Sequence, residues 1–159
     1  ALRIATLADS SLRARRLCEV RLLLVAASGW LDAIGRPVHP RDLELHKAFV
    51  YTNTPAPGTI RLQHGKTRKE FFLSQSGRVR ANNAEGFLPA LMDGLGYGLF
   101  PEFMIHEELR SGAVEAILPE WSVPPIALYL VMPPSPLRTA RVSVFMNYLT
   151  DHFLKPSWI

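Results

Sequence analysis

Residues 81–102 read ANNAEGFLPALMDGLGYGLFPE, and the order of signals in this stretch decides the fold. Asn82 is a helix-capping residue with Glu85 three positions on, an arrangement in which cap and acid each satisfy an orphan backbone N–H. Phe87, Leu88, Leu91, Met92 and Leu95 recur at helical spacing and predict one apolar face. Pro89 removes a donor early in that helix, so a kink or a later start is expected. Gly94, Gly96 and Gly98 then end the helix, and Leu99-Phe100 opens a new apolar segment. Strands alternating with helices in this way indicate an α/β sheet with crossovers.

Toward the N-terminus, residues 79–81 predict a short strand, and residues 60–64 and 68–73 flank Gly65-Lys66-Thr67 as a hairpin with a glycine-containing turn. Pro55, Pro57 and Gly58 mark a loop, and residues 48–51 a strand. Residues 39–43 (HPRDL) predict a helical turn, and Ser28 is placed to cap a short helix ending at Ile34 before Gly35 and Pro37. Residues 20–27 (VRLLLVAA) are almost continuously apolar, as in a strand covered on both faces. Residues 12–18 alternate apolar side chains with arginine, and residues 2–7 predict a strand before the turn Asp9-Ser10-Ser11. Toward the C-terminus, Pro101 is expected in the first turn of a helix to about Leu109, stopped by Gly112. Strands are expected over 114–118 and 126–132, then a helix over 138–153 with Val142, Phe145, Met146, Leu149 and Phe153 as its buried stripe.

The 159 residues suffice for one core, and 48% hydrophobic with 20% charged residues is ordinary globular composition. No apolar run is long enough to span a bilayer as a helix. Ala1-Leu2-Arg3-Ile4 has neither an initiator Met nor the pattern of a secretory signal, so a start inside a larger fold is expected. Cys18 is the only cysteine; it reads as a small apolar residue, and an intrachain disulfide is impossible. Net charge is +4, with 14 Lys/Arg against 6 Asp/Glu in residues 1–80 and 4 against 8 in residues 81–159. The arginines of the basic half are scattered among strands and turns, not clustered on a helix for groove binding, so a solvated surface that attracts anionic small molecules is expected.

Motifs for catalysis are absent. The glycines read G-x-G-x-G in the order helix, glycines, strand, the reverse of a dinucleotide fingerprint, and are read as turn glycines. His39, His46, His64, His106 and His152 are dispersed without metal-ligand spacing, and G-x-S-x-G does not occur. Glu107-Glu108 reads as solvated surface. Neither enzymatic activity, a metal nor a cofactor is expected. Two segments carry binding potential: the helix opening at Asn82-Asn83, whose backbone N–H groups suit a carboxylate or phosphate, and the polar Tyr51-Thr52-Asn53-Thr54 after a strand.

Arg3-Ile4 with Leu7, Asp9-Ser10-Ser11-Leu12 and Ala14-Arg15-Arg16-Leu17 begin an ordered series of matching segments. It continues with Gly35-Arg36-Pro37, His39-Pro40-Arg41-Asp42-Leu43 and His46, then Ala81-Asn82-Asn83-Ala84-Glu85. Residues 94–103 (GLGYGLFPEF) and Leu118-Pro119-Glu120-Trp121 complete it. Together, along nearly the whole chain, they resemble the effector-binding domain of LysR-type transcriptional regulators. The resemblance implies an α/β, Rossmann-like fold similar to type 2 periplasmic binding proteins, with a small effector in the cleft between two lobes. Lobe two is expected complete and lobe one partial: residues 1–16 in lobe one and a crossover, 17–118 as lobe two, and 119–159 as the return crossover strand and final helix. By the same resemblance, effector-binding positions fall at Thr6, Leu7, Thr52, Asn53, Asn83, Ala84, Phe100 and Pro101. Thr52 and Asn83 would hydrogen-bond a carboxylate or hydroxyl, and Phe100 would be an apolar wall.

The implied partners are a small-molecule effector, a carboxylate or aromatic acid, and further copies of the chain in a homo-oligomer. DNA would be contacted only through a winged helix-turn-helix missing from this chain, and the location would be cytoplasmic. The alternatives are a standalone solute-binding protein of the same fold or, less favoured, a small dehydratase-like enzyme.

Overall fold

The computed structural model describes residues 1–5, 13–132, 134, 139–154, 156 and 158. Elements run in the order β1 (Leu2–Ala5), β2 (Arg13–Val20), β3 (Leu22–Ala27), α1 (Ser28–Ile34), a 3₁₀-helix (Pro40–Leu45), β4 (Lys47–Tyr51), β5 (Thr59–His64) and β6 (Glu70–Ser74). Then follow β7 (Ser76–Ala81), a 3₁₀-helix (Ala84–Phe87), α2 (Leu88–Met92), β8 (Tyr97–Pro101), α3 (Glu102–Ser111), β9 (Val114–Ala116), β10 (Trp121–Ser122), β11 (Ile126–Met132) and α4 (Ala140–His152). They form two units: a continuous one, Leu22–Pro124, and one assembled from Ala1–Arg21 and Pro125–Ile159. The division therefore falls at residues 22 and 124, where 17 and 118 were expected. Residues 17–20 complete β2, whose Val20 pairs with Ile126 of β11 in the discontinuous unit.

In the continuous unit a five-stranded mixed sheet has the order β7-β4-β8-β3-β9. β4 is parallel to both β7 and β8, whereas β3 runs antiparallel to β8 and β9. The apolar run 22–27 suits β3 because both its faces are covered. Leu24 and Ala26 join one core cluster, with Leu31, Leu43, Ala48, Ile60, Leu62, Leu73 and Tyr97. Val25 joins the other, with Phe49, Phe87, Leu91, Phe100, Ile105 and Val114. Each large side chain fully buried in this way contributes about 2 kcal/mol. A second sheet, β10-β5-β6, supplies Ile60, Leu62 and Leu73 to the first cluster through strict alternation, with Arg61 and Phe72 outward. Trp121 of β10 lies edge-on between His39 and His64, at centroid distances of 5.3 and 5.1 Å.

Several local expectations shift. The hairpin residue with positive φ is Arg68 (59°); Gly65 instead donates its N–H to the Glu120 carbonyl. Ser28 is the first residue of α1, and its hydroxyl donates to the Gly112 carbonyl where a cap was expected. Asn83, one residue after the expected Asn82, is the N-cap of the 3₁₀-helix, its Oδ1 accepting from the Glu85 N–H at 3.1 Å. The Pro89 restriction is met by starting the α-helix at Leu88, after the 3₁₀ turn. Because α2 stops at Met92, Leu95 leaves the expected stripe and is exposed. Pro101 ends β8 and caps α3, so it precedes the first turn. Gly94 turns the chain with φ 68°, and Gly96 and Gly98 allow close approach: a Cβ would lie 2.3 Å from the Lys47 carbonyl oxygen and 2.6 Å from the Phe100 ring, respectively.

The discontinuous unit is built on an antiparallel sheet, β1-β11-β2, with an irregularity between Leu128 and Tyr129. The Val131 N–H donates to the Ala1 carbonyl at 2.8 Å. On α4 only Met146 and Leu149 of the expected stripe are buried; Val142 and Phe145 are exposed.

Candidate functional site

Three parallel strands end on one edge of the five-stranded sheet. In the order β7-β4-β8, β4 is central, and register pairs Tyr51 with Ala81 on one side and Phe49 with Gly98 on the other. Thr52 and Asn53 follow the central strand, Asn83 and Ala84 follow β7, and Pro101 ends β8. Five of the eight sequence-predicted positions are thus brought to the carboxyl edge of the parallel strands, where open α/β sheets place ligands.

Backbone bonds fix this edge. The Thr52 N–H donates to the Ala81 carbonyl at 2.9 Å, extending the β4–β7 ladder one residue beyond the strands. Asn83 holds the next turn by capping Glu85, which leaves its side-chain amide N–H₂ as the donor pointing outside that bond. Asn53 and Asn83 are exposed, whereas Thr52, Ala84 and Pro101 are half-buried.

Phe100 does not line this edge. It is 0% exposed, because alternation along β8 sends its ring into the core, edge-on to Phe87 at 6.4 Å, while Phe87 stacks on Phe49 at 5.6 Å. The expected apolar wall is therefore a support beneath the edge. Thr6 and Leu7 lie outside the described residues.

A groove of about 400 Å³ opens between the segment after β7 and the start of α3, lined by Glu85, Leu88, Phe103 and Met104. Phe103 and Met104 were not singled out in the sequence; the signal that reaches them is their place in the first turn of a helix that follows a parallel strand. The Phe103 carbonyl is 3.2 Å from His106 Nδ1, which ties that turn to the next. Among the described residues no cluster of His, Cys, Asp and Glu could hold a metal ion, and no helix is long and apolar enough to cross a membrane.

The family model described as LysR substrate binding domain matches residues 1–154. Among similar proteins, the HTH-type transcriptional regulator PtxR of Pseudomonas aeruginosa is 28% identical over 152 residues, covering 96% of this chain and 48% of that protein. The probable HTH-type transcriptional regulator LtrA of Klebsiella pneumoniae is 30% identical over 155 residues, covering 95% and 49%. The chain spans about half the length of these curated relatives. Among solved structures, the full-length virulence activator AphB of Vibrio cholerae, a member of the LTTR family, superposes with a TM-score of 0.83 at 25% identity, covering 96% of this chain and 51% of that one. The regulatory domain of AphB from Vibrio vulnificus gives 0.77 at 27% identity, covering 95% and 73%.

Proposed function

The chain belongs to the LysR substrate-binding domain family, and from that premise we propose that the carboxyl edge of its continuous unit is one wall of a small-molecule sensor site in a transcriptional regulator. The observation that carries this reading is the convergence of Thr52, Asn53, Asn83, Ala84 and Pro101 at the ends of three parallel strands. A small molecule held there would act by differential affinity, favouring whichever conformation of the regulator completes its contacts. The role requires no catalytic step. An acid, the effector class expected from the family resemblance, would find two side-chain donors at this edge, the Thr52 hydroxyl and the Asn83 amide.

DNA contact is assigned to a helix-turn-helix outside these residues, the role to the cytoplasm, and assembly to further copies of the same chain. The relatives are named as regulators, which favours this reading over a solute-binding protein. Backbone-amide NMR during titration with benzoate and phenylacetate tests the edge. Shifts concentrated at Thr52, Asn53, Asn83 and Ala84, weakened about tenfold by Asn83→Ala, are expected. Binding whose shifts lie elsewhere and survive Asn83→Ala overturns the assignment.

A further inference from the structure

Thr52 and Asn83, the side-chain donors at the carboxyl edge, are both neutral, so an acid held by them alone keeps an uncompensated charge. The parallel strands supply a cation. Of their described basic side chains, Lys47 opens β4 opposite Ser76, at the amino edge. Arg80 is at the other edge: it pairs with Val50, one residue before Ala81, whose carbonyl accepts from the Thr52 N–H. A Cβ built on Gly58 would meet the Val50 Cγ1 at 3.8 Å and the Arg80 Nη1 at 3.9 Å, so both side chains leave the same face of the sheet. Gly58 lies just before β5, at the far end of the loop that Thr52 opens after β4. The Arg80 head group therefore lies against that loop.

Arg80 is exposed, and among the described residues its guanidinium has neither an ion pair nor a hydrogen bond. Arg36, Arg61 and Lys66 of the same unit are each matched with a carboxylate. Glu85, exposed on the turn that Asn83 caps, is a like charge for any acid that docks here. Affinity for an acid then requires a cation on the same edge.

We propose that Arg80 is the specificity-determining residue of the sensor edge, selecting a carboxylate over a neutral ligand of the same shape. Its guanidinium offers the ligand's carboxylate a fork of N–H donors, and Thr52 and Asn83 orient the acid against it. The inference rests on the sensor-edge reading and names the residue that reads charge within it.

The test uses the 159-residue chain and three probes of one shape and different charge: benzoate, benzamide and benzamidinium. NMR follows the backbone amides of Thr52, Asn53, Asn83 and Ala84 together with the Arg80 Nε–H. Benzoate is expected to bind with a Kd about threefold below that of benzamide, as an exposed ion pair allows, and benzamidinium is expected to bind most weakly. The Arg80 Nε–H should move with benzoate and stay in place with benzamide. Arg80→Gln should remove the preference for benzoate, Arg80→Lys should retain part of it, and added salt should narrow the gap in the wild type. Three outcomes overturn the proposal: no preference for benzoate in the wild type, a preference that Arg80→Gln leaves intact, or an equal loss of benzoate and benzamide in Arg80→Gln. In each of these the edge amides still respond, so the sensor edge stands and only the role of Arg80 falls. Probes that bind without shifting the edge amides overturn both.

Discussion

Tyr97 shows what a single residue contributes. It lies in the first core cluster, fully buried, and among the described residues its hydroxyl has no hydrogen-bond partner. Burial, with a smaller effect from the Glu44 charge, raises its pKa well above the ordinary 10.0. An orphan buried hydroxyl costs about 1 kcal/mol or more, so Tyr97→Phe should leave stability unchanged or raise it by about 1 kcal/mol in urea unfolding. The raised value also fixes a sign. The unfolded chain ionises first, so the contribution is complete below pH 10 and is lost as pH rises above it. Tyr97→Phe should remove that alkaline loss. The sequence placed Tyr97 among the glycines that end a helix, just ahead of the apolar Leu99-Phe100. It could not show the missing partner, because the surrounding side chains (Leu24, Leu43 and Ala48) come from segments far along the chain.

At the scale of elements, the 3₁₀-helix Pro40–Leu45 depends on a reciprocal cap. His39 Nδ1 accepts from the Arg41 N–H, while Asp42 Oδ2 accepts from the N–H groups of His39 and Val38 at 2.9 and 3.1 Å. Those backbone bonds, with the nearby histidines contributing less, lower the Asp42 pKa. Asp42→Ala should cost about 1 kcal/mol in thermal unfolding at neutral pH. A depressed carboxyl stabilises above its unfolded value of 3.8 and loses that contribution as pH falls through the folded value, so the difference between wild type and Asp42→Ala should vanish in acid. Strands and helices were legible wherever the apolar period was long, as in β3, β11 and α4. Their ends were not, because competing caps one residue apart, Asn82 and Asn83, look alike until the chain direction is set. The site followed the same division. Strand order places Thr52 beside Asn83, and no local pattern encodes that order. The face of β8 to which Phe100 turns is likewise decided by Phe87 and Phe49, which come from other elements.

At the scale of the molecule, the continuous unit interrupts the other. Val20 pairs with Ile126, so Leu22 and Pro124 begin and end the interruption only two residues from one cross-strand couple. A segment with adjacent ends and its own two-sided core meets the requirements for independent folding. Residues 22–124 produced alone should unfold in one cooperative transition by circular dichroism; a gradual, non-cooperative melt would show that this core depends on the rest of the chain. The same pairing sets an order of events. With the continuous unit unfolded, joining β2 to β11 closes a loop of roughly 100 residues, at an entropic cost of roughly 4 kcal/mol. Once that unit has formed, its own ends have already closed the loop. The two halves of the β1-β11-β2 sheet should therefore meet late, and pulse-labelled amides of Val20 and Ile126 should gain protection after those of Val25 and Phe49. Substitutions that weaken the continuous unit would then delay the completion of a sheet they never touch.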